Sequence, residues 1–163
     1  MTQKYLFEHK KLHIFDLDDT LYLRQLTSYE DEIRSRINMK IMLEELKKDG
    51  KILAMASHNT NPRYCLNQMQ CSHLFDIVIG EYPRPKDSMI REILEKTGCN
   101  KEEAVFYDDM EYNIKLVSQM GIDVYHVKTK YGIILNQETQ ENIDKEWPAL
   151  GNAVYTKGVY EIN

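Results

Sequence analysis

The heptapeptide Phe15-Asp16-Leu17-Asp18-Asp19-Thr20-Leu21 constrains the fold of this chain more than any other stretch. It closes a short run, 11–15, that is mostly Leu, Ile and Phe and reads as a buried strand. Side chains alternate along extended backbone, so Asp16 and Asp18 project together while Leu17 packs behind them. Two carboxylates forced together repel, and the usual remedies are a bound cation or a shared proton. Either remedy suits phosphoryl chemistry, in which one carboxylate attacks phosphorus and the other shuttles the proton.

Bulk properties narrow the field. A length of 163 residues fits one domain with a sizeable core. A net charge of −5 argues against an extended nucleic-acid surface, which needs a basic stripe. It leaves room for a small phosphorylated ligand, because a metal can supply local positive charge. Cys65, Cys71 and Cys99 are odd in number and no secretory pattern opens the chain, so reduced thiols and a cytoplasmic setting are expected. No apolar run approaches a membrane span. Cys65, Cys71 and His73 match no zinc spacing and lack a fourth ligand, so buried thiols are the better reading.

Strand and helix signals alternate after the acidic motif. Thr27 and Ser28 can cap a helix whose first turn holds Glu30, Asp31 and Glu32. Ile33, Ile37, Ile41, Leu43 and Leu46 recur at near-helical spacing before the stop at Lys47, Lys48 and Gly50. A second strand is predicted over 52–56 and a helix from Pro62 to about Gln70, with Tyr64, Leu66 and Met69 as core contacts. Strand three is expected at 75–79, a helix at 87–97, strand four at 104–107, a helix at 112–120 and strand five at 122–127. This order predicts an α/β fold, a parallel sheet with helices on both faces and right-handed crossovers. Beyond Lys130 the pattern weakens to a polar helix over 136–145 and an anchoring Trp147-Pro148. The whole reads as one domain, with a core at about 11–128 and a C-terminal extension, 129–163, packing on it.

Asp16 and Asp18, then Ser57, then Lys86, then Asp108 and Asp109 fall at or just beyond the carboxyl ends of four successive predicted strands. Open parallel sheets bind ligands at that edge. Acids from strands one and four can hold a Mg²⁺ ion, while a hydroxyl and an ammonium hold the remaining phosphoryl oxygens.

In that order these groups resemble the four motifs of the haloacid dehalogenase superfamily of phosphatases. Glu81-Tyr82-Pro83-Arg84-Pro85-Lys86, Lys96-Thr97-Gly98 and Val105-Phe106-Tyr107-Asp108-Asp109 with Asn113-Ile114 look like its eukaryotic-type magnesium-dependent branch. Asp19 and His58 occupy places that vary among relatives, and His58 stands where this branch often carries Arg. The resemblance, over roughly 12–127, implies a Rossmann-like fold without a large cap domain. It implies an aspartyl-phosphate on Asp16, with Asp18 protonating the leaving alcohol and then activating water. Asp16, the Asp18 backbone carbonyl and an acid after strand four would hold Mg²⁺, with Asp109 favoured over Asp108 as the direct ligand. Ser57, His58 and Lys86 would hold the phosphoryl group, and Thr20 would brace the loop beneath Asp16.

The intervals 21–56 and 58–85 leave no room for a lid, so the site is expected to be open to bulky phosphomonoesters. The substrate could then be a phosphotyrosyl protein, a sugar phosphate or a nucleic-acid end. A polynucleotide terminal phosphatase is the rival enzyme, and a non-catalytic phospho-ligand module is disfavoured because Asp16 and Asp18 are both present. A two-component receiver domain would place its acceptor Asp after strand three and its Lys after strand five, which this order contradicts. His13 is expected to be packed and hydrogen-bonded rather than catalytic.

Overall fold

The computed structural model describes residues 4–128 and 130–136, and the backbone of residues 153–156 and 159–162. Strand β1, Leu12–Phe15, is buried along its whole length, as expected for an apolar run at the centre of a sheet. It pairs in parallel with β2, Ile52–Ser57, on one side and with β4, Ala104–Asp108, on the other. The register sets His13 opposite Leu53 and Val105. β3, Ile77–Gly80, lies outside β2, and β5, Asp123–His126, lies outside β4, giving the parallel order β3-β2-β1-β4-β5. The strand order therefore reverses between β1 and β4, the place where such sheets form their ligand crevice.

The period of two along each strand sends alternate side chains to two separate cores. Phe15, Val105 and Tyr107 pack on one face with Met39, Leu43 and Leu46 of helix α1, Tyr29–Lys48, and Leu66 of α2, Pro62–Gln68. Leu12, Ile14 and Phe106 pack on the other with Met89, Ile90 and Ile93 of α3, Lys86–Thr97, and Ile114 and Val117 of α4, Glu111–Ser118. Neither the interval from β1 to β2 nor that from β2 to α3 contains an inserted domain, so no cap is evident among the described residues.

Local chemistry sets the helix ends. Ser28 Oγ accepts the Asp31 amide at 3.1 Å, and acidic residues fill the first turn of α1. α3 ends on Gly98 in the left-handed conformation.

Two expectations about packing are corrected. Ile33, Ile37 and Ile41 share their near-helical spacing but face outward, Ile37 being 53% exposed; Ser35, Met39, Leu43 and Leu46 face the sheet instead. Tyr64 is likewise 60% exposed on α2, whereas Leu66 and Met69 are buried. Strand three begins at Ile77 rather than 75, because a single 3₁₀ turn over Ser72–Leu74 occupies the approach.

The sheet also runs further than the sequence indicated. β7, Val159–Ile162, pairs in parallel with β5, and β6, Ala153–Thr156, pairs antiparallel with β7. The polar helix expected over 136–145 and the Trp147-Pro148 anchor lie outside the described residues, apart from Asn136. No helix among the described residues is long and apolar enough to cross a membrane.

Candidate active site

β1 and β4 end side by side, Phe15 opposite Tyr107, so the chain that continues from each carries its acids into one crevice. Carboxylate oxygens of Asp16, Asp108 and Asp109 all lie within 4.8 Å of one another. Three acids so placed, in an all-oxygen donor set, fit a hard divalent cation such as Mg²⁺. The Asp18 side chain lies outside this trio.

A buried cation answers part of the charge. Lys86, the first residue of α3, is fully buried, and its ammonium donates to Asp16 Oδ1 at 2.7 Å and to the Ala56 carbonyl at 2.5 Å. It stands 3.5 Å from Asp108 Oδ2. Thr20 Oγ1 lies between two acids, 3.3 Å from Asp16 Oδ2 and 3.5 Å from Asp109 Oδ1.

The two acids after β4 are held differently. Asp108 Oδ1 accepts the Met110 amide at 2.9 Å, and Oδ2 accepts Asn113 Nδ2 at 3.1 Å. Both Asp108 oxygens are thus engaged by protein donors, while Asp109 has the long Thr20 contact and side-chain contacts with the neighbouring acids Asp16 and Asp108. Burial, reinforced by the negative charge of Asp16, raises the Asp108 carboxyl to about 8 despite Lys86. Burial, the negative charge of Asp16 and a hydrogen bond with Asp16 raise Asp109 to about 6.

Asp18 is half-buried, and burial is the main reason its carboxyl is raised above the usual range; Arg24 opposes the rise. The Arg24 guanidinium lies 3.9 Å from Asp18 Oδ1 and grips Asp19 Oδ2 through Nη2 at 2.7 Å and Nε at 3.2 Å. The Arg24 amide donates to Asp19 Oδ1 at 3.1 Å, closing a tight loop in which Asp19 has φ of 60°.

Ser57 is buried at the end of β2, with its Oγ accepting the Asn59 amide at 3.0 Å. That leaves the hydroxyl proton to donate into the crevice. His58 points along the rim: Nε2 donates to the Arg84 carbonyl at 2.6 Å and the ring meets Tyr82 edge-on at 5.8 Å.

Below the site, His13 Nε2 donates to the Lys10 carbonyl at 3.2 Å, so Nδ1 accepts the Tyr107 hydroxyl at 2.7 Å. Burial depresses this imidazole to about 3. It is a structural, neutral histidine.

Arg24 and Asn113 were not read from the sequence as part of this site. Asn113 sits five residues beyond Asp108, on the buried face of α4 beside Ile114 and Val117. A polar residue on an otherwise apolar helix face was the available signal. Arg24 carried none, since its partner Asp19 is set by the turn of the loop.

A family model described as haloacid dehalogenase-like hydrolase matches residues 22–127, well over half of the chain. The chain belongs to this family of hydrolases. The match begins just after the Asp16/Asp18 pair and does not distinguish branches within the family.

Solved structures share the fold. The N-terminal, phosphatase-domain part of a Bacteroides fragilis protein, complexed with Mg, superposes with a TM-score of 0.63 at 20% identity, covering 77% of this chain. This chain spans only 38% of that one. A haloacid dehalogenase-like hydrolase from Streptococcus pneumoniae gives 0.58 at 15% identity, covering 82% and 90% of the two chains. The 3-deoxy-D-manno-octulosonate 8-phosphate phosphatase of Moraxella catarrhalis, in complex with magnesium, phosphate and the sugar acid, gives 0.54 at 17%, covering 85% and 88%. No curated protein matches the chain.

Proposed function

We propose that the chain, acting as a single domain with its core at about 11–128, is a Mg²⁺-dependent phosphomonoester hydrolase that works through an aspartyl-phosphate on Asp16. The observation that carries this reading is the Asp16, Asp108 and Asp109 trio, clasped by the fully buried Lys86 at the carboxyl edge of β1 and β4. Two of the solved structures that share the fold contain magnesium, and both are described as phosphatases or phosphatase domains.

Asp16 and Asp109 are the side chains that would hold the ion directly, with Asp108 behind them because its oxygens already serve Met110, Asn113 and Lys86. When bound, the ion neutralises charge on the phosphoryl oxygens.

Asp16 attacks phosphorus, and the bond from phosphorus to the alcohol oxygen breaks. Asp18 gives its proton to that oxygen; burial raises its carboxyl above the usual range, the direction that favours an acid able to donate. The resulting Asp18 carboxylate then takes a proton from water, whose oxygen attacks phosphorus and releases Asp16. Ser57 donates to a phosphoryl oxygen, and Lys86 balances charge on Asp16 throughout. His58 steadies the 81–85 loop through Arg84.

The test is turnover of a phosphomonoester panel with Mg²⁺, with chelator, and by Asp16→Asn. Chelation should abolish hydrolysis and Mg²⁺ restore it. Asp16→Asn should remove more than about 10³-fold of turnover while keeping the fold. Near-normal turnover by that variant would exclude the covalent route. Beryllium fluoride should form a stable adduct on Asp16 only when Mg²⁺ is present.

A further inference from the structure

Asp18 lies on the loop between β1 and α1, and its side chain stands outside the carboxylate trio. A carboxyl that must meet a leaving oxygen has to be held in one place. One hold comes from its own loop. The Arg24 guanidinium lies 3.9 Å from Asp18 Oδ1, but its close bonds, at 2.7 and 3.2 Å, go to Asp19. A second hold comes from the turn after β2, where a hydrogen bond from the Asn59 side chain reaches the Asp18 carboxylate.

The Asn59 amide has little freedom. Its backbone N–H donates to Ser57 Oγ at 3.0 Å. Its Oδ1 accepts the Asn61 amide at 2.8 Å, in a side-chain turn that leads into α2. With Oδ1 turned to Asn61, Nδ2 is the end left to donate elsewhere. Nδ2 lies 3.8 Å from Cys65 Sγ on α2, and that thiol feels the Asp18 charge. Carboxylate, amide and thiol are therefore neighbours. β3 presses on the same turn from outside, where Gly80 leaves no room for a side chain against the Asn59 carbonyl.

One residue thus joins two parts of the crevice. Its backbone engages Ser57, whose hydroxyl serves the phosphoryl group, and its side chain holds Asp18, which serves the leaving oxygen. We propose that Asn59 is a positioning residue that fixes the Asp18 side chain for proton donation to the leaving alcohol oxygen. The inference rests on the phosphatase reading, and it adds a residue to the groups at the strand ends from which that reading was built.

Asn59→Asp tests it with little disturbance: a side-chain oxygen can still accept the Asn61 amide, while the donor to Asp18 is lost. Asn59→Ala removes the donor without adding charge. Two esters separate proton donation from other effects. The phenolate of p-nitrophenyl phosphate departs without a proton, whereas the alkoxide of glycerol 3-phosphate needs one. kcat/KM covers the steps up to departure of the alcohol, so later hydrolysis of the aspartyl-phosphate does not enter. In the full chain with Mg²⁺, each variant should lower kcat/KM for glycerol 3-phosphate at least about tenfold more than for p-nitrophenyl phosphate. That is part of the ~10²–10⁴-fold that general acids supply. Repulsion between an added carboxylate and the substrate phosphate falls on both esters and leaves their ratio alone.

A spectroscopic readout stands apart from turnover. The Asn59 side-chain NH₂ signals of the ¹⁵N-labelled chain, assigned by their loss in Asn59→Asp, should move in Asp18→Asn because their charged acceptor has gone. A changed ester ratio in both variants, with NH₂ signals that move, supports the assignment. An unchanged ratio, or NH₂ signals that stay in place, overturns it. If the wild-type chain hydrolyses neither ester, the phosphatase reading falls, and the NH₂ signals alone decide whether Asn59 holds Asp18.

Discussion

A buried ammonium is costly unless opposite charge and hydrogen-bond acceptors surround it, and Lys86 has both in Asp16, Asp108 and the Ala56 carbonyl. Breaking such a cluster from one side typically costs ~3–5 kcal/mol. Lys86→Met should therefore lower the urea-unfolding stability of the metal-free chain by about 3 kcal/mol; a change within ~0.5 kcal/mol would mean that the ammonium is not the partner holding these acids. Asp18→Asn probes a different role. It keeps the backbone and should cut turnover ~10²–10⁴-fold with little change in Mg²⁺ affinity, whereas a collapse of metal binding would make the side chain a ligand. His13 supplies a third case. Its imidazole is depressed to about 3, so the folded state binds fewer protons than the unfolded one below about pH 6.5. The associated stability is present above that pH and drains away as pH falls towards 3. Ring-nitrogen NMR shifts should show the neutral form from pH 8 down to pH 5, and a midpoint near 6 would contradict the buried hydrogen-bonded pair. At this scale the sequence was informative wherever a residue's place follows from a strand end, as for Asp16, Ser57, Lys86 and Asp108. It was silent on Arg24, whose partner depends on how a loop turns.

Secondary elements carry the next set of consequences. A Cβ added to Gly80, the last residue of β3, would lie 2.4 Å from the Asn59 carbonyl oxygen and 2.5 Å from Pro62 Cδ. The glycine is what lets the turn after β2 close down on β3, and that turn begins at Ser57. Gly80→Ala should cost ~1–3 kcal/mol by overpacking and should weaken phosphate affinity by displacing Ser57. Thermal melts and phosphate inhibition constants would check both effects; an unchanged Tm would show that the turn moves aside freely. The existence and order of the five central strands and four helices were legible because each is bracketed by its own caps and stops. The facing of α1 was not. Ile33, Ile37 and Ile41 run parallel to Ser35, Met39 and Leu43 at the same four-residue spacing, so periodicity identifies two stripes without saying which one meets the sheet. Small Ser35, bonded to the Glu32 carbonyl at 2.9 Å, allows the less obviously apolar stripe to pack inward.

For the molecule as a whole, the acid cluster couples stability to pH and to cation. The folded, metal-free chain holds protons on Asp108 and Asp109 up to about 8 and 6, against about 3.8 for an unperturbed carboxyl. Raised carboxyls stabilise the fold below the unfolded value, and that contribution is lost as pH rises through the folded values. In chelator, Tm should therefore fall between pH 5 and pH 8. Saturating Mg²⁺ should raise Tm more at pH 8 than at pH 5, because at the higher pH it displaces fewer protons. A larger Mg²⁺ effect at pH 5 would contradict the placement of these acids. The extra strands β6 and β7 were illegible for a reason of the same scale. β6 pairs only with β7, and it is β7 that joins the sheet at β5; pairing with so distant a strand leaves little mark on a short stretch such as Val159–Ile162.

The central position of β1 bears on the birth of the molecule. Its ladder with β4 joins Leu12 to Ala104, so during synthesis the first strand waits for a partner made 92 residues later. At ~5–20 residues per second that interval lasts roughly 5–20 s, in which an apolar ribbon has at most one neighbour. A nascent chain is accordingly exposed to sticking along β1 and has only one acid of the trio, Asp16, to offer a cation. Sheet closure and metal competence arrive together, so a ribosome-bound fragment ending before β4 should be both aggregation-prone and catalytically silent.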